Sequence, residues 1–158
     1  MKQIRCIIFD IDGTLTDGKI HISDTGELFK SFHVQDGYAI KHLLPKTGIV
    51  AAIITGRKSK IVEIRAKELG IRYVYQDVSD KLEAIQALQK ELNLKADEIA
   101  FMGDDLNDLL AMQTVKVSAC PANAATEVRK FCTYICKKNG GEGAAREFID
   151  WLLENRNF

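Results

Sequence analysis

The sequence of 158 residues lacks a long hydrophobic run, a net charge and any cysteine arrangement typical of a zinc site. No apolar stretch approaches the length of a membrane-spanning helix, so we expect no membrane segment. The formal net charge is +0 at pH 7, which gives no general attraction to nucleic acid or to an anionic membrane. The cysteines form no C-x-x-C pair, and we expect reduced thiols in a cytoplasmic protein. They are Cys6, Cys120, Cys132 and Cys136.

What the sequence does contain is an alternation of apolar runs with amphipathic segments. The runs typical of strands are residues 4–9, 49–54 and 99–102, with shorter candidates at residues 73–75 and 115–117. Helical stripes cover about residues 61–69, 80–92 and 145–152. Gly70 is the predicted C-terminal cap of the first of these helices. Continuous apolar strands are typical of a parallel sheet that is covered on both faces. We therefore predict an α/β fold with a doubly wound, Rossmann-type parallel sheet in one domain, residues 1–158.

Residues 17–34 interrupt this alternation and predict an inserted β-hairpin. Alternating apolar residues flank Asp24-Thr25-Gly26, which is a typical turn sequence. A two-stranded ribbon is only marginally stable by itself. We therefore expect the hairpin to pack either on the rest of its own domain or on other subunits.

Directly before this insertion, the apolar run ends in Asp10-Ile11-Asp12-Gly13-Thr14. Two carboxylates that close repel each other, and a cation or a shared proton offsets that repulsion. Gly13 permits a sharp turn and offers an unobstructed backbone N–H to an anion. This combination indicates Mg²⁺-dependent phosphoryl transfer. The structural alternative is an ordinary exit from a strand into a turn, where Asp and Gly are also favoured.

Polar residues follow other predicted strands as well. In an α/β sheet, ligands bind beyond the carboxyl ends of the strands, so we expect these side chains to meet at one site. Carboxylates can ligate Mg²⁺, attack phosphorus or transfer protons, while Thr and Lys can bind phosphoryl oxygens. Each residue alone also fits a turn, a helix cap or a solvated surface. The residues are Thr55 and Gly56, Lys81 at a predicted helix start, Asp104, Asp105, Asn107 and Asp108.

In these motifs the chain resembles the haloacid dehalogenase superfamily of phosphotransferases. The resemblance implies that Asp10 is the nucleophile and that Asp12 is the general acid and base. It implies a Mg²⁺ site formed by Asp10, the backbone carbonyl of Asp12 and Asp104. Around that site it implies supporting residues at Asp105, Asn107 and Asp108, and phosphate-binding residues at Gly13, Thr55, Gly56 and Lys81.

Many members of that superfamily carry a cap domain that selects the substrate, but here only the hairpin occupies the insertion point. The finer pattern is similar to an uncapped branch that hydrolyses 3-deoxy-D-manno-octulosonate 8-phosphate. This resemblance implies a homotetramer assembled through the hairpins and a Gly-rich segment, about residues 139–155 with its helix, that closes over the site. It also implies that Arg57, Arg146 and Asp36 bind the sugar acid. The matching segments are residues 32–38, 54–58, 75–77 and 140–147.

Gln35 departs from this pattern, because many of these enzymes carry Arg at that position. Other relatives act on nine-carbon keto-sugar acid phosphates, so a nine-carbon substrate is the alternative to the eight-carbon one. Two other classes also remain open. One is a signalling receiver domain that keeps an aspartyl phosphate. The other is a non-catalytic module that lends its assembly to a partner.

Overall fold

A parallel sheet of six strands forms the centre of the structure, a computed structural model that describes residues 3–155. A separate two-stranded hairpin lies beside it. In chain order the strands are β1 (Cys6–Phe9), β2 (His21–Ser23), β3 (Gly26–Phe29), β4 (Val50–Ile54), β5 (Tyr73–Tyr75), β6 (Ile99–Met102), β7 (Val117–Cys120) and β8 (Tyr134–Ile135).

The strand order explains where a site is expected. The order in the sheet is β5-β4-β1-β6-β7-β8, so the chain runs outward in one direction from β1 and then returns to its other side at β6. Both neighbours of β1 run parallel to it, with Phe9 level with Ile53 on one side and Met102 on the other. Ligands of open α/β sheets bind where the order reverses, which here is beyond the ends of β1 and β6.

Helices cover both faces of this sheet. Successive side chains of a strand point to opposite faces, and in β1 Ile7 and Phe9 join one buried cluster while Cys6 and Ile8 join the other. Within residues 3–155 no helix is long and apolar enough to cross a membrane. The α-helices are α1 (Val34–Tyr38), α2 (Lys60–Leu69), α3 (Lys81–Leu92), α4 (Leu106–Met112), α5 (Thr126–Phe131) and α6 (Ala144–Glu154). Shorter turns of other helical types lie at Ala39–Leu43, Pro45–Thr47 and Ala96–Glu98.

Polar caps fix the ends of the helices next to the site. The Ser59 side chain accepts hydrogen bonds from the first turn of α2, and Asp80 does the same for α3. Gly70 ends α2 in the left-handed conformation that glycine adopts without strain, which confirms the predicted cap. Because Asp80 caps α3, Lys81 becomes the first residue of that helix.

The predicted fold class is confirmed, but several strand boundaries differ and one strand was not predicted. The prediction of a strand at residues 115–117 was wrong, because the strand begins at Val117 and continues through small residues to Cys120. The edge strand β8 was not predicted, because two residues are too few to form a recognisable apolar run. The first strand is also shorter than predicted and begins at Cys6.

The hairpin is present where it was predicted. Strands β2 and β3 are antiparallel, flank a turn at Asp24 and Thr25, and contain an irregularity between His21 and Ile22. Every residue of β3 is exposed, and the hairpin region presents several exposed apolar side chains. These side chains are Ile20, Ile22, Leu28 and Phe29.

Candidate active site

A cavity of about 190 Å³ opens beyond the carboxyl ends of the central strands. It contains residues from the ends of β1, β4 and β6, so the fold brings together the positions that the sequence predicted to meet. Lys81 reaches Asp10 from the start of α3, behind this surface. The residues lining the cavity are Asp10, Asp12, Thr55, Gly56, Arg57, Asp104, Asp105 and Asn107.

Asp10 is anchored by the core of the protein. Its backbone N–H donates to the Met102 carbonyl across the β1–β6 boundary at 3.0 Å, which continues the ladder of the sheet. The Lys81 ammonium lies 2.9 Å from Asp10 Oδ1 and 2.5 Å from Asp108 Oδ1. Lys81 is only 4% exposed, so its charge is satisfied by carboxylates rather than by water. This arrangement holds the Asp10 carboxylate in one place at the floor of the cavity.

Asp108 ties this floor to helix α4. Its second oxygen accepts the backbone N–H groups of Asp104 at 2.9 Å and Asp105 at 3.2 Å. Asp105 is the N-cap of α4 and accepts the Leu106 N–H, so one of the two neighbouring aspartates caps the helix, as the sequence indicated. The other, Asp104, keeps its side chain for the cavity. Asp108 therefore orders the loop that presents Asp104.

Gly13 is required by the position of Asp104. Its φ is +90°, and a Cβ built there would lie 1.9 Å from Asp104 Oδ2. Any side chain at position 13 would therefore displace the carboxylate as well as strain the backbone. The Thr14 hydroxyl donates to Asp104 Oδ1 at 3.2 Å. Thr14 and Gly13 together hold Asp104 against the loop that follows β1.

The carboxylates at this floor repel one another. Burial raises the pKa of Asp104, and the nearby charges of Asp10 and Asp108 raise it further. Burial also raises the pKa of Asp10, and Asp108 adds to this effect while Lys81 opposes it. For Lys81, burial disfavours the charged form, but Asp10 and Asp108 raise its pKa overall. The cluster thus has one lysine for three carboxylates, and a cation would relieve the repulsion that remains between the carboxylates.

Oxygen atoms of Asp10, Asp104 and Asp108 lie within 4.8 Å of one another and form a candidate metal centre. Both oxygens of Asp108 already have partners, in Lys81 and in the backbone of Asp104 and Asp105. Asp10 and Asp104 are therefore the side chains best placed to ligate a cation directly. Such a set of hard oxygen ligands suits Mg²⁺, which binds through one or two carboxylates and retains several waters.

The Asp12 side chain belongs to a different group of charges. Lys30 of the hairpin donates to Asp12 Oδ1 at 2.6 Å, and Arg57 Nε lies 3.9 Å from Asp12 Oδ2. Asp12 was predicted among the metal ligands through its backbone carbonyl, and its carboxylate lies outside the metal-type cluster. Lys30 was not predicted, because no local pattern in the hairpin marks a lysine that contacts a residue 18 positions earlier.

The structure does not bring two of the predicted substrate-binding residues to the cavity. Within the part of the chain that the structure describes, Arg146 pairs with Asp150 on its own helix, at 2.9 Å from Nε to Oδ2, and lies over the Tyr38 ring. Asp36 is buried and accepts the Arg146 backbone N–H at 2.8 Å. These contacts place Asp36 at the first turn of α6 and hold the Arg146 guanidinium between Asp150 and the Tyr38 ring, away from the cavity lining.

The Gly-rich segment before α6 supports the catalytic loop from behind. A Cβ at Gly140 would lie 2.0 Å from the Gly13 carbonyl oxygen, so only glycine permits this approach. The Gly141 N–H donates to the Thr14 carbonyl at 3.3 Å. In this structure Gly140 and Gly141 pack against the backbone of residues 13–17, and closure of the segment over the site stays a prediction.

The residues in and around the cavity are those that phosphoryl transfer uses. A fixed carboxylate can attack phosphorus, a second one can exchange protons with the leaving oxygen, and Lys and Thr can bind phosphoryl oxygens. Thr55 is 2% exposed and is held at the end of β4 by its backbone bonds to Tyr75 and Val78. Its place in the cavity lining agrees with the sequence prediction, as does that of Gly56, Arg57 and Asn107.

Comparison with known protein families supports the same chemistry. Residues 53–148 match the haloacid dehalogenase-like hydrolases. The chain is 42% identical over 152 residues to the 3-deoxy-D-manno-octulosonate 8-phosphate phosphatase KdsC of Escherichia coli K12. That alignment covers 96% of this chain and 80% of the relative. The KdsC protein of Yersinia pestis is 41% identical over 151 residues, with the same coverage.

Solved structures are similar over nearly the whole chain. One is the Moraxella catarrhalis 3-deoxy-D-manno-octulosonate 8-phosphate phosphatase in complex with magnesium, phosphate and KDO. It has a TM-score of 0.93 and 40% identity and covers 99% of this chain and 89% of its own. Another is the cobalt-bound phosphatase of Haemophilus influenzae, with a TM-score of 0.94 and 36% identity. That alignment covers 98% of this chain and 90% of the neighbour.

Proposed function

The chain belongs to the haloacid dehalogenase-like hydrolases, and from that premise we propose that it is a Mg²⁺-dependent phosphatase of 3-deoxy-D-manno-octulosonate 8-phosphate. The observation that carries this proposal is the floor of the cavity. There a buried carboxylate, Asp10, is held by Lys81 beside Asp104, at the point where the strand order reverses. The identity to KdsC proteins over almost the whole chain supports the same reaction and substrate.

In this proposal, Asp10 attacks the phosphorus atom and becomes phosphorylated as the bond to the sugar oxygen breaks. Lys81 holds Asp10 Oδ1 and supplies positive charge where negative charge builds up on the transferring group. Thr55 and the backbone of Gly56 bind phosphoryl oxygens. The Gly13 N–H, which the sequence predicted for the same task, donates to Thr16 Oγ1 at 3.2 Å in this structure instead. Water then attacks the phosphorus of the aspartyl phosphate, which releases phosphate and restores Asp10.

Asp12 handles the protons of both steps. It donates a proton to the sugar oxygen as that oxygen leaves, and it later removes a proton from the attacking water. Asp12 is suited to this role because its carboxylate lies in the cavity lining but outside the metal-type cluster. Because it is not needed as a metal ligand, this carboxylate is available for proton transfer with the substrate.

A divalent cation fits the donor set of this site. Asp10, Asp104 and the Asp12 backbone carbonyl would hold Mg²⁺, with Asp108, Asp105 and Asn107 supporting them. When bound, the cation neutralises charge on the carboxylates and on the phosphoryl oxygens. The magnesium and cobalt complexes of similar phosphatases support this assignment.

The eight-carbon sugar acid is the substrate that the relatives favour, since the Moraxella catarrhalis phosphatase was solved in complex with KDO. Arg57 is the residue of the cavity lining best suited to bind the acid group, because Arg binds carboxylates with two parallel hydrogen bonds. Arg146 and Asp36 would take part only after a rearrangement or in an assembly. A nine-carbon keto-sugar acid phosphate is the alternative substrate, and the same chemistry would serve it.

We also propose a homotetramer in which the hairpins assemble. Its support is the set of exposed apolar side chains in the hairpin region, two of which are Ile22 at 64% and Leu28 at 58% exposure. Apolar strands of this kind tend to pair with other chains unless they are covered. Size-exclusion chromatography with light scattering tests this proposal. The mass of four chains is expected at micromolar concentration, and the mass of one chain would contradict it.

The cytoplasm is the proposed site of the reaction. All four cysteines are free thiols, which is typical of proteins in a reducing compartment. No feature of the cavity depends on this placement. Fractionation of cells that produce the protein would test it, with activity expected in the cytoplasmic fraction and not in the membrane or periplasmic fraction.

The substrate proposal is tested by phosphate release from a panel of esters. The panel contains the eight-carbon and nine-carbon keto-sugar acid phosphates and a hexose phosphate, each with and without Mg²⁺, and Asp10→Asn serves as the blank. We expect the eight-carbon acid to be preferred and release to need Mg²⁺. Preference for a nine-carbon acid would change the proposed substrate and leave the proposed mechanism in place. Absence of release from all of them, by a folded protein, would overturn the proposal.

A further inference from the structure

Lys30 is a buried lysine whose contacts the reaction described above does not use. It follows strand β3 of the hairpin, and its side chain is only 3% exposed. Its ammonium group lies 2.6 Å from Asp12 Oδ1 and 3.1 Å from Glu27 Oε1. A charge that is removed from water needs such partners, and loss of one partner leaves the others uncompensated. The contacts to Asp12 and Glu27 therefore fix the position of the Lys30 ammonium group.

The two oxygens of Asp12 have different surroundings. Within residues 3–155, Oδ1 receives the short bond from the buried Lys30, whereas Oδ2 has only the long contact of 3.9 Å to Arg57, whose side chain is 55% exposed. An exposed pair at this distance contributes little to orientation. The strong contact thus fixes Oδ1 and leaves Oδ2 as the oxygen with freedom to exchange a proton.

Glu27 extends this contact to helix α2. Its other oxygen, Oε2, accepts the Ser59 hydroxyl at 2.6 Å. Ser59 in turn accepts the backbone N–H groups of Ile61 and Val62 as the N-cap of α2. The Ser59 N–H donates to Gln76 Oε1 at 2.8 Å, which connects the cap to the segment after β5. A continuous chain of polar contacts therefore runs from Asp12 through the hairpin to the start of α2 and the segment after β5.

We propose that Lys30 is a positioning residue that fixes the Asp12 carboxylate through Oδ1, so that Oδ2 delivers the proton to the leaving sugar oxygen. This inference rests on the proposed function, in which Asp12 is the general acid. Glu27 and Ser59 anchor Lys30 in turn. The inserted hairpin then contributes to the chemical step as well as presenting an apolar surface.

This role makes a specific demand on the leaving group. As the bond from phosphorus to the sugar oxygen breaks and the bond to Asp10 forms, the alkoxide takes the Asp12 proton. A nitrophenolate leaves readily without a proton, so p-nitrophenyl phosphate does not depend on that transfer. The quantity kcat/KM covers the steps up to leaving-group release, so it isolates the step in which Asp12 acts as an acid.

The test is the substitution Lys30→Met, which keeps the length of the side chain but removes its charge. We expect kcat/KM for the sugar acid phosphate to fall by about 10²-fold, the lower range of what general acid catalysis contributes. The value for p-nitrophenyl phosphate should change little. An equal fall for both esters would assign Lys30 a structural role only, and no fall for the sugar ester would overturn the proposal outright.

Lys19→Met is the matched control, since Lys19 lies in the inserted segment, is exposed, and donates its backbone N–H to Asp17 Oδ1, a bond that a change of side chain leaves intact. This control should leave kcat/KM for both esters unchanged.

Thermal unfolding shows whether Lys30→Met folds. If it does not fold, Glu27→Gln is the second variant, because it weakens the contact that holds Lys30 from the side opposite Asp12. This variant should lower kcat/KM for the sugar ester and not for p-nitrophenyl phosphate. Equal changes for both esters would contradict the proposal there as well.

A double-substitution cycle separates this inference from the proposed function. In an Asp12→Asn background the acid is already absent, so Lys30→Met should cause no further loss with the sugar ester. A further loss of similar size would show that Lys30 acts elsewhere, and this would overturn the inference alone. If Asp12→Asn itself fails to distinguish the two esters, the role of Asp12 in the proposed function is what fails.

Discussion

Asp10 and Asp12 are one residue apart, yet the two sides of the cavity to which they belong are built differently. On the core side, formed by Asp10, Lys81, Asp104 and Asp108, strand ends and helix starts of the sheet bring every charge into place. On the hairpin side, formed by Asp12, Glu27, Lys30 and Ser59, an insertion supplies the lysine. Each aspartate thus has its own buried lysine, but only Lys81, at the start of α3, comes from the elements that build the central sheet and its covering helices.

The difference suggests a division of work. The core side gathers three carboxylates, of which Lys81 contacts Asp10 and Asp108, and is arranged to bind a cation and to attack phosphorus. On the hairpin side, Lys30 contacts two carboxylates, so fewer negative charges remain without a partner. This side is arranged to orient a proton donor. The groups of the core side are held in fixed positions relative to the sheet, whereas the position of the Asp12 carboxylate on the hairpin side depends on the hairpin. Substitutions on the two sides should therefore have different signatures.

The largest effect is expected from Lys81→Met on the core side. This change leaves Asp10 and Asp108 buried without their counter-charge, so the free energy of unfolding should fall by about 3–5 kcal/mol. The kcat/KM should fall by about 10²–10³-fold for sugar phosphates and for p-nitrophenyl phosphate alike, because Lys81 acts on the phosphoryl group. Chemical denaturation and steady-state kinetics measure the two quantities, and Lys90→Met on the same helix serves as the control. A loss confined to sugar phosphates would contradict the division.

Asp104→Asn should have opposite effects on activity and on stability. It removes a ligand of the cation, so phosphatase activity should be lost. It also removes one of the charges that repel one another, so the metal-free variant should unfold at a higher temperature than the metal-free parent protein. Thermal unfolding with and without Mg²⁺ tests this. Mg²⁺ should raise Tm of the parent and leave the variant nearly unchanged. A lower Tm for the metal-free variant would show that the carboxylates do not repel.

The smallest effect is expected from Arg57→Ala at the border of the two sides. Arg57 is half exposed and only loosely paired with Asp12, so its loss should not affect folding. The KM for the sugar acid phosphate should rise about fivefold, which corresponds to about 1 kcal/mol for an exposed ion pair. The KM for a hexose phosphate, which has no carboxylate, is the comparison. An equal rise for both esters would remove Arg57 from acid recognition.

The sequence predicted the core side far better than the hairpin side, and the reason is physical. Asp10 and Thr55 directly follow apolar strands and Asp104 comes one residue later, and the parallel arrangement of those strands brings their ends together. Lys81 begins a helix that follows another strand, so its position was constrained in the same way. These placements depend only on where strands and helices begin and end, which periodicity and capping residues reveal.

Lys30 and Glu27 could not be predicted in this way. Their contacts to Asp12 and Ser59 depend on how the hairpin folds back over the loop after β1 and over the start of α2. Arg146 illustrates the converse, because its predicted role came from resemblance alone, and in this chain its side chain pairs with Asp150. Among the strands, β8 escaped prediction because its register is set by neighbouring β7 and not by a run of its own.

The division between the two aspartates is tested most directly by the first turnover of Asp12→Asn with p-nitrophenyl phosphate and Mg²⁺. Nitrophenolate needs no proton to leave, so Asp10 should still be phosphorylated, but water then lacks its base and the aspartyl phosphate should accumulate. The account predicts a burst of nitrophenolate equal to the enzyme concentration, with the phosphate found on the Asp10 peptide by mass spectrometry. A phosphate on any other residue, or no burst with slow steady release, would contradict it.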